Sequence, residues 1–272
     1  MTIQVDDDQM QAVASYVRAV SGIVLSPSKG YLVETRLRPL LDEHELESFG
    51  ALIERAESDP SGVLRGAIID AISTQETSFF RDDKPFRFLA DYFVPRHVAR
   101  NKRLDVWCAA ASTGQEIYSL AMILEEVLDD LDRYDIRILG TDISEAALTY
   151  CSQARYSRLE VSRGVSAERL RRHFSKEGKT WKLNDELRAL IAFRQLNLME
   201  PLGEIGPFDL ILCRNVAIYF SIEDRRKLFD RISERLRPEG VLLVGSTESL
   251  AGVTDRLERR EHGGVVYYVR AG

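Results

Sequence analysis

The chain has 272 residues, 44% hydrophobic and 29% charged, and a formal net charge of −6 at pH 7. It is long enough for one large domain or two, and its composition is that of a soluble globular protein. No apolar run approaches the roughly 18 residues of a membrane-spanning helix, and no signal segment opens the chain. Three distant cysteines without C-x-x-C spacing and four scattered histidines argue against disulfides and a metal site. We therefore expect a cytoplasmic protein without a metal ion.

The negative charge is concentrated in the first 80 residues. They contain six Lys and Arg against thirteen Asp and Glu, whereas the remainder is near neutral. Within that remainder, residues 155–182 hold nine basic side chains and three acidic ones. Such a segment either attracts an acidic partner or forms a solvated helix face. Nucleic acid is the weaker choice of partner, because the chain lacks an overall basic balance and the usual recognition motifs.

The first 75 residues have the apolar periodicity of amphipathic helices. Apolar side chains recur at three- and four-residue steps in runs that begin at Met10, Leu32, Phe49 and Leu64. We predict a small helical bundle over residues 1–75, in which nothing indicates catalysis.

From about residue 100, short apolar strands alternate with helical segments. This alternation predicts a parallel sheet with helices on both faces. The Gly263-Gly264 pair lies between two strand-like runs and predicts a terminal hairpin. The predicted strands are Leu104–Cys108, Ile136–Gly140, Ala192–Leu196, Phe208–Cys213 and Val241–Gly245, and the predicted helices cover residues 115–131, 144–154 and 222–236.

More than thirty residues separate the helix that ends near Arg155 from the strand at Ala192. A structureless loop of that length is uncommon in a compact domain. We predict a helix at about 166–174 and then a small antiparallel β insertion, the whole insert reaching residue 194. Its strands are expected at Trp181-Leu183 and Leu190-Ala192, on either side of a polar turn.

The stretch "DVWCAAASTGQE" (105–116) runs from a strand through a loop of small residues into a helix. With only small side chains after Cys108, a ligand can lie against the backbone, and Gly114 is free to adopt a positive φ. Asp142 ends the next strand, where a carboxylate can accept hydrogen bonds from both hydroxyls of a ribose. The loop and the acid together predict a ligand that contains a nucleoside.

Glu116, at the start of the helix, helps to choose between nucleoside ligands. A dinucleotide carries a pyrophosphate, which favours several glycines and would be repelled by a carboxylate at the helix start. A ligand with a cationic end, such as the amino group and sulfonium of S-adenosylmethionine, suits Glu116 better. Glu at this position also simply stabilises the helix dipole. An NAD(P)-dependent oxidoreductase is the weaker alternative.

Three stretches in chain order, "TQETSFFRD", "VWCAAASTGQEIYSLAM" and "FDLILCRNVAIYF", resemble the CheR family of chemoreceptor methyltransferases. The resemblance covers nearly the whole chain. It implies an α/β fold: an N-terminal all-α domain (1–75), a linker with the first catalytic-domain helix (76–100), and a class I, Rossmann-like methyltransferase domain with an antiparallel insert (101–272). The implied reaction transfers a methyl group from S-adenosylmethionine to receptor glutamates and leaves S-adenosylhomocysteine.

The resemblance also implies roles for individual residues. Arg81 and Tyr219 are the implied catalytic residues, with Arg81 near both the methyl donor and the substrate glutamate. Glu116 would hold the donor's amino group and Asp142 its ribose. The other residues implied to bind the cofactor are Thr77, Arg81, Ala109, Arg214, Asn215 and, at the adenine edge, Asn197 or the backbone of Leu198.

Two departures from the family pattern, Gln75 for Asn and Ala111 for Cys, remove no group that the reaction needs. The N-terminal helices are less basic than is typical of the family, which leaves open which surface meets the receptor. The expected partners are the cytoplasmic signalling helices of chemoreceptors, and the insert is a candidate to hold a tethering peptide at a receptor C-terminus. We expect a monomer that neither binds nucleic acid nor inserts into the membrane.

Two other functions stay open at this point. One is a non-catalytic family member that acts as a scaffold or sensor in a signalling array, against which the intact Arg81, Glu116, Asp142 and Tyr219 argue. The other is a methyltransferase of small molecules or nucleic acid, which the fold alone permits but which leaves the "ETSFFR" motif unexplained.

Overall fold

The computed structural model describes residues 5–272. The described chain begins with an all-helical segment, and its later helices alternate with strands. One π-helical turn joins the fifth and sixth helices into a single rod. The helices are α1 (Asp7–Ser21), α2 (Gly30–Glu43), α3 (Phe49–Ser58), α4 (Val63–Ile72), α5 (Lys84–Phe88), α6 (Val94–Val98), α7 (Gln115–Val127), α8 (Glu145–Gln153), α9 (Arg158–Ser162), α10 (Ala167–His173), α11 (Asp185–Ala189) and α12 (Ile222–Arg235).

The strands form two sheets. The strands are β1 (Arg103–Cys108), β2 (Asp135–Asp142), β3 (Arg155–Ser157), β4 (Phe174–Glu177), β5 (Thr180–Leu183), β6 (Ile191–Gln195), β7 (Phe208–Cys213), β8 (Leu236–Val244), β9 (Leu257–His262) and β10 (Val265–Arg270). A seven-stranded sheet has the order β6-β2-β1-β7-β8-β10-β9, and a three-stranded sheet has the order β3-β5-β4.

Within the described residues, no helix combines the length and apolar character needed to cross a bilayer.

The N-terminal bundle, α1 to α4, confirms the predicted helical periodicity. Its apolar faces close around a core of their own, in which Val33, Leu37 and Phe49 are fully buried. Helix α3 begins where the Ser48 hydroxyl accepts the backbone N–H of Ala51, a side-chain cap that satisfies a donor the helix itself cannot. Burial of one face of each helix, rather than propensity alone, therefore stabilises the bundle.

The central sheet confirms the predicted parallel arrangement. β1 pairs in parallel with both β2 and β7, and apolar clusters cover the two faces of the sheet. The chain runs outward from β1 to β2 and β6, then returns to the other side of β1 as β7. The carboxyl ends of β1 and β7 thus flank the point where strand order reverses, which is where open α/β sheets bind ligands. The terminal hairpin, β9 and β10, turns at Gly263-Gly264 as predicted.

The small sheet confirms an antiparallel insertion and the helix that precedes it, α10. β4 and β5 form a hairpin that turns at Gly178, where a φ of +60° suits a residue without Cβ. β3 pairs with the other edge of β5, so this sheet begins at Arg155, earlier than the residue 166 predicted for the insert. Arg169 of α10 binds Glu126 of α7 through two 2.8 Å hydrogen bonds and ties the insert to the central domain.

The predicted strand pairing within the insert is wrong. Trp181-Leu183 does not pair with Leu190-Ala192, because Asn184 instead precedes helix α11. The residues after α11 form β6, which pairs in parallel with β2 at the edge of the central sheet. Alternating hydrophobicity marks both segments as strands but contains no information about which neighbour each one joins.

The helical bundle packs directly against the α/β domain. The Asn197 side chain donates to the Val20 carbonyl over 2.9 Å, and the Val24 N–H donates to the Tyr219 carbonyl over 2.9 Å. Between these contacts, a Cβ added to Gly22 would lie 2.3 Å from Met199, so only glycine allows this close approach. The end of α1 is therefore fixed at the carboxyl edge of the central sheet.

Gly114 lies where the small-residue loop enters α7, with a φ of +98°. An added Cβ would lie 2.4 Å from Cys151 Sγ and 2.8 Å from the Tyr156 hydroxyl, both on buried side chains. We expect Gly114→Ala to lower the free energy of unfolding by roughly 2–4 kcal/mol, from backbone strain and overpacking together. Urea denaturation followed by circular dichroism measures this loss.

Gly66→Ala is the matched control. Gly66 lies inside α4, and apart from its chain neighbours and the backbone of that helix, no described atom lies within 4 Å of its added Cβ. This substitution should raise stability by about 0.5–1 kcal/mol, since Ala is the better helix former. Equal effects of the two substitutions would show that the geometry at Gly114 does not constrain the loop.

Candidate active site

The ten residues assigned to the site from the sequence line a single cleft at the carboxyl edge of the central sheet. The cleft encloses about 850 Å³, including its open mouth. Residues that follow β1, β2, β6 and β7 form one side, and the segment between α4 and α5 forms the other. Their assigned roles remain predictions, but the structure brings all of them together: Thr77, Arg81, Ala109, Glu116, Asp142, Asn197, Leu198, Arg214, Asn215 and Tyr219.

Asp142 is held at the end of β2 by two backbone N–H groups. Ser112 donates to one carboxylate oxygen over 2.8 Å and Ser144 to the other over 3.0 Å. Burial raises the pKa of the Asp142 carboxyl, although the two N–H donations oppose that change. Each oxygen keeps a lone pair for a further donor. The carboxylate is therefore positioned and under-solvated, as an acceptor for a pair of ribose hydroxyls should be.

The small-residue loop between β1 and α7 is a rigid cradle. Its backbone continues the sheet, since Ala109 N–H donates to Leu212 and Ala111 N–H donates to Thr141. Ser112 adopts a φ of +50°, a strained conformation that the sequence did not predict. Its hydroxyl donates to the side chain of Gln75 over 2.7 Å. The loop thereby contacts the segment that leads to Arg81.

Arg214, directly after β7, connects the two sides of the cleft. Its guanidinium binds Glu116 at 2.5 Å and Asp82 at 2.8 Å, and donates to the Arg81 carbonyl over 3.1 Å. The Arg214 side chain is only 1% exposed, so these partners replace water. Among residues 5–272, its buried Nε has no hydrogen-bond partner.

The pairing of Glu116 with Arg214 adds a contact that the sequence did not indicate. Two carboxylates, Glu116 and Asp82, share one guanidinium, so the cluster carries a net charge of −1. A net negative cluster in a cleft that also contains Asp142, the acid predicted to bind ribose, fits a cationic nucleoside such as S-adenosylmethionine.

The segment that carries Arg81 has a strained backbone. Phe80, Asp82 and Asp83 all have positive φ, at 50°, 69° and 45°. Such conformations cost of order 1–3 kcal/mol each and persist only where surrounding contacts require them. Here the Phe80 N–H donates to the buried Ser119 hydroxyl over 2.9 Å. The strain places the Arg81 side chain in the cleft while the adjacent aromatic rings pack in the core.

The residues predicted at the adenine edge are already engaged. The Asn197 amide nitrogen donates to Val20 and to Glu200, and its oxygen accepts from Met199. Arg231 of α12 donates to the Leu198 carbonyl over 2.6 Å. The Asn197 amide therefore holds the two domains together, and the backbone of the 196–198 loop is the better candidate for contact with a base.

Asn215 and Tyr219 lie on the turn that follows β7. Asn215 has a φ of +57°, and its N–H donates to the Glu248 carboxylate over 2.7 Å. The same carboxylate accepts the N–H of Gly245 after β8. Glu248 thus fixes the turn that holds Tyr219 at the wall of the cleft.

The N-terminal bundle contributes to the wall of the cleft, although nothing in its sequence indicates catalysis. Ser21 and Ile23, on either side of the end of α1, line the cavity. Ile23, together with Leu196, Val216 and Phe220, makes the walls of the cleft largely apolar. The helical periodicity of α1 predicts its core face but not this packing, because the contact depends on residues more than 170 positions away. Gly22, where the helix ends, is the one local signal.

Asp142→Asn should weaken the binding of S-adenosylhomocysteine about 10- to 100-fold. The amide replaces an acceptor oxygen by a donor that faces a backbone N–H, and it accepts one ribose hydroxyl at most. Isothermal titration calorimetry measures this loss. Asp135→Asn, at the exposed start of the same strand, is the matched control and should change affinity less than about twofold. An unchanged affinity in Asp142→Asn would remove this residue from the binding site.

Comparison with known families agrees with this geometry. A family model described as "CheR methyltransferase, SAM binding domain" matches residues 75–264. A second model, described as "CheR methyltransferase, all-alpha domain", matches residues 8–73.

Individual relatives match almost end to end. Chemotaxis protein methyltransferase 1 of Vibrio cholerae is 38% identical over 98% of this chain and 99% of its own length. Chemotaxis protein methyltransferase Cher2 of Pseudomonas putida is 36% identical over 94% of this chain and 95% of its own. Chemotaxis protein methyltransferase 1 of Pseudomonas aeruginosa is 38% identical over 89% and 90%. With both of its domains matched in order, the chain belongs to the CheR methyltransferase family.

Proposed function

We propose that this S-adenosylmethionine-dependent methyltransferase esterifies glutamate side chains of chemoreceptors. One observation carries the proposal: Arg214 binds both Glu116, at the predicted cofactor side, and the segment of Arg81, at the predicted substrate side. A cleft built in this way holds two reactants next to each other. The similarity to chemotaxis methyltransferases over nearly the whole chain supports receptors as the methyl acceptor.

The reaction needs no general base. A glutamate carboxyl with a pKa near 4.3 is ionised at neutral pH and is already a nucleophile. S-adenosylmethionine supplies an electrophilic methyl group on a cationic sulfonium. Since this single displacement requires neither a proton acceptor nor a Lewis acid, the proposed mechanism has no metal ion and no Ser-His-Asp arrangement.

Positioning and exclusion of water supply the rate enhancement in this proposal. Correct alignment of two reactants can lower a barrier by roughly 7–11 kcal/mol. The apolar walls around Ile23, Leu198 and Phe220 keep the cleft poorly solvated. Because a carboxylate and a sulfonium become a neutral ester and a thioether, a dry site favours the loss of charge.

Arg81 orients the acceptor carboxylate. A guanidinium has five N–H donors, of which Arg81 gives one to the Glu76 carbonyl over 2.9 Å. That bond directs the side chain along the linker while other donors face the substrate. Tyr219, on the opposite wall, supplies a hydroxyl that can form a hydrogen bond with S-adenosylmethionine or with the substrate glutamate.

We further propose that the insert holds a tethering peptide. A groove between α9, α10 and the β4–β5 hairpin has an apolar floor with Val161, Leu170 and Trp181. Three cations border this groove: Arg158, Lys176 and Lys179. Five other cations of the 155–182 segment form ion pairs within the protein. This surface suits an acidic peptide with an apolar side chain, bound to a cytoplasmic monomer of the protein.

Arg81→Ala should abolish methyl transfer and leave the fold intact. Labelled methyl incorporation into a chemoreceptor cytoplasmic fragment should fall at least about 100-fold, since the acceptor is no longer aligned. The circular dichroism spectrum and the melting temperature should stay at wild-type values. Arg87→Ala is the matched control, because the Arg87 side chain is 73% exposed and forms a surface ion pair with Asp83. Wild-type incorporation by Arg81→Ala would contradict the proposed role.

A further inference from the structure

Large apolar side chains are exposed on residues that neighbour, along the chain, residues that line the cleft. Within residues 5–272, six such side chains are prominently exposed, and three of them lie on the two segments that meet at Tyr219. These are Val24, Ile218 and Ile222, at 42%, 45% and 60% exposure, and we call them the apolar rim. The other three lie on α2, α4 and α9: Tyr31, Val63 and Leu159.

The apolar rim is built from both domains and held in place. Val24 follows Ile23, which lines the cleft. The Val24 N–H donates to the Tyr219 carbonyl. On the other segment, Arg225 donates to the Ile218 carbonyl over 3.3 Å and to the Phe220 carbonyl over 3.1 Å. Ile222 is the first residue of α12, and the extended residues Phe220 and Ser221 separate it from the helical turn that contains Ile218.

The size of the acceptor determines what must cover these side chains. A glutamate carboxylate lies roughly 5 Å from its Cα, given standard bond lengths. A helix with its side chains has a radius of about 5–6 Å. A helix whose glutamate reaches Arg81 and Tyr219 therefore lies directly on the mouth of the cleft. The rim residues next to Tyr219 cannot stay in water when that helix is bound.

We propose that the apolar rim is the docking surface for the receptor helix that carries the target glutamate, an inference that rests on the proposed function. The rim packs against apolar side chains one helical turn before and after that glutamate, at the i±3 and i±4 positions. Because the rim is uncharged, it does not compete with Arg81 for the acceptor carboxylate. Apolar contact at the rim therefore selects the helix, and the cleft selects the carboxylate.

The test measures methyl transfer to a purified chemoreceptor cytoplasmic fragment by the full chain. The double variant Ile218→Ser/Ile222→Ser should raise KM for the fragment about tenfold, since apolar burial at the interface is lost. Its kcat should stay within about twofold of wild type, and its affinity for S-adenosylhomocysteine should not change. Val24→Ser, on the other domain, should raise KM about threefold, and it keeps the backbone N–H that donates to the Tyr219 carbonyl.

Val63→Ser is the matched control. Val63 is 73% exposed and begins α4, so the change removes an even more exposed β-branched side chain at a helix start away from the rim. It should keep the wild-type KM. On the acceptor side, Ser at the apolar i±3 and i±4 positions should raise KM for the wild-type enzyme but change it less than about twofold for the double variant.

Several outcomes would overturn the inference. Unchanged KM in both rim variants, an equal rise in Val63→Ser, or additive effects of rim and acceptor changes would each exclude the rim as the docking surface. A wild-type dimer in sedimentation that the double variant dissociates would assign the rim to a second copy of the chain. A wild-type enzyme that binds S-adenosylhomocysteine but methylates no receptor would contradict the proposed function itself, and this inference with it.

Discussion

The site depends on one buried guanidinium. Arg214 lies at the end of β7 with its side chain 1% exposed, and an unpaired charge at such a position would cost several kcal/mol. Two carboxylates from different parts of the chain, Glu116 on α7 and Asp82 beside Arg81, compensate it. Neither carboxylate is close to Arg214 in sequence. The predicted cofactor side and the predicted substrate side of the cleft are thus stabilised by the same charge.

The two domains contribute different groups to the cleft. The α/β domain supplies the polar groups of the cleft, because parallel strands bring Asp142 and Arg214 to one edge of the sheet. The helical bundle supplies apolar wall through Ile23 and apolar rim through Val24. The bond from Asn197 to Val20 holds these parts together. A polar floor with apolar walls suits a reaction in which two opposite charges disappear.

Local patterns predicted most of the elements and pointed to Glu116 and Asp142, because hydrophobic period and strand-end position are local properties. The other eight residues assigned to the cleft were implied by the family resemblance. Local patterns failed where long-range contacts decide. The insert pairs β5 with β3 instead of with the segment of Leu190-Ala192, since α11 lets that segment join β2. Glu116 also binds Arg214, 98 positions away, a partner that no local pattern indicates. The domain boundaries near residues 75 and 100 remain predictions.

The shared guanidinium is tested most directly by the free energies of unfolding of four proteins: wild type, Asp82→Asn, Glu116→Gln and the double variant. Each single change leaves Arg214 one carboxylate, whereas the double variant leaves a buried cation without a counter-charge. If one guanidinium serves both, the double variant loses about 1–3 kcal/mol more than the sum of the single losses. Losses that add within about 0.5 kcal/mol would contradict the shared charge as the link between the two sides of the cleft.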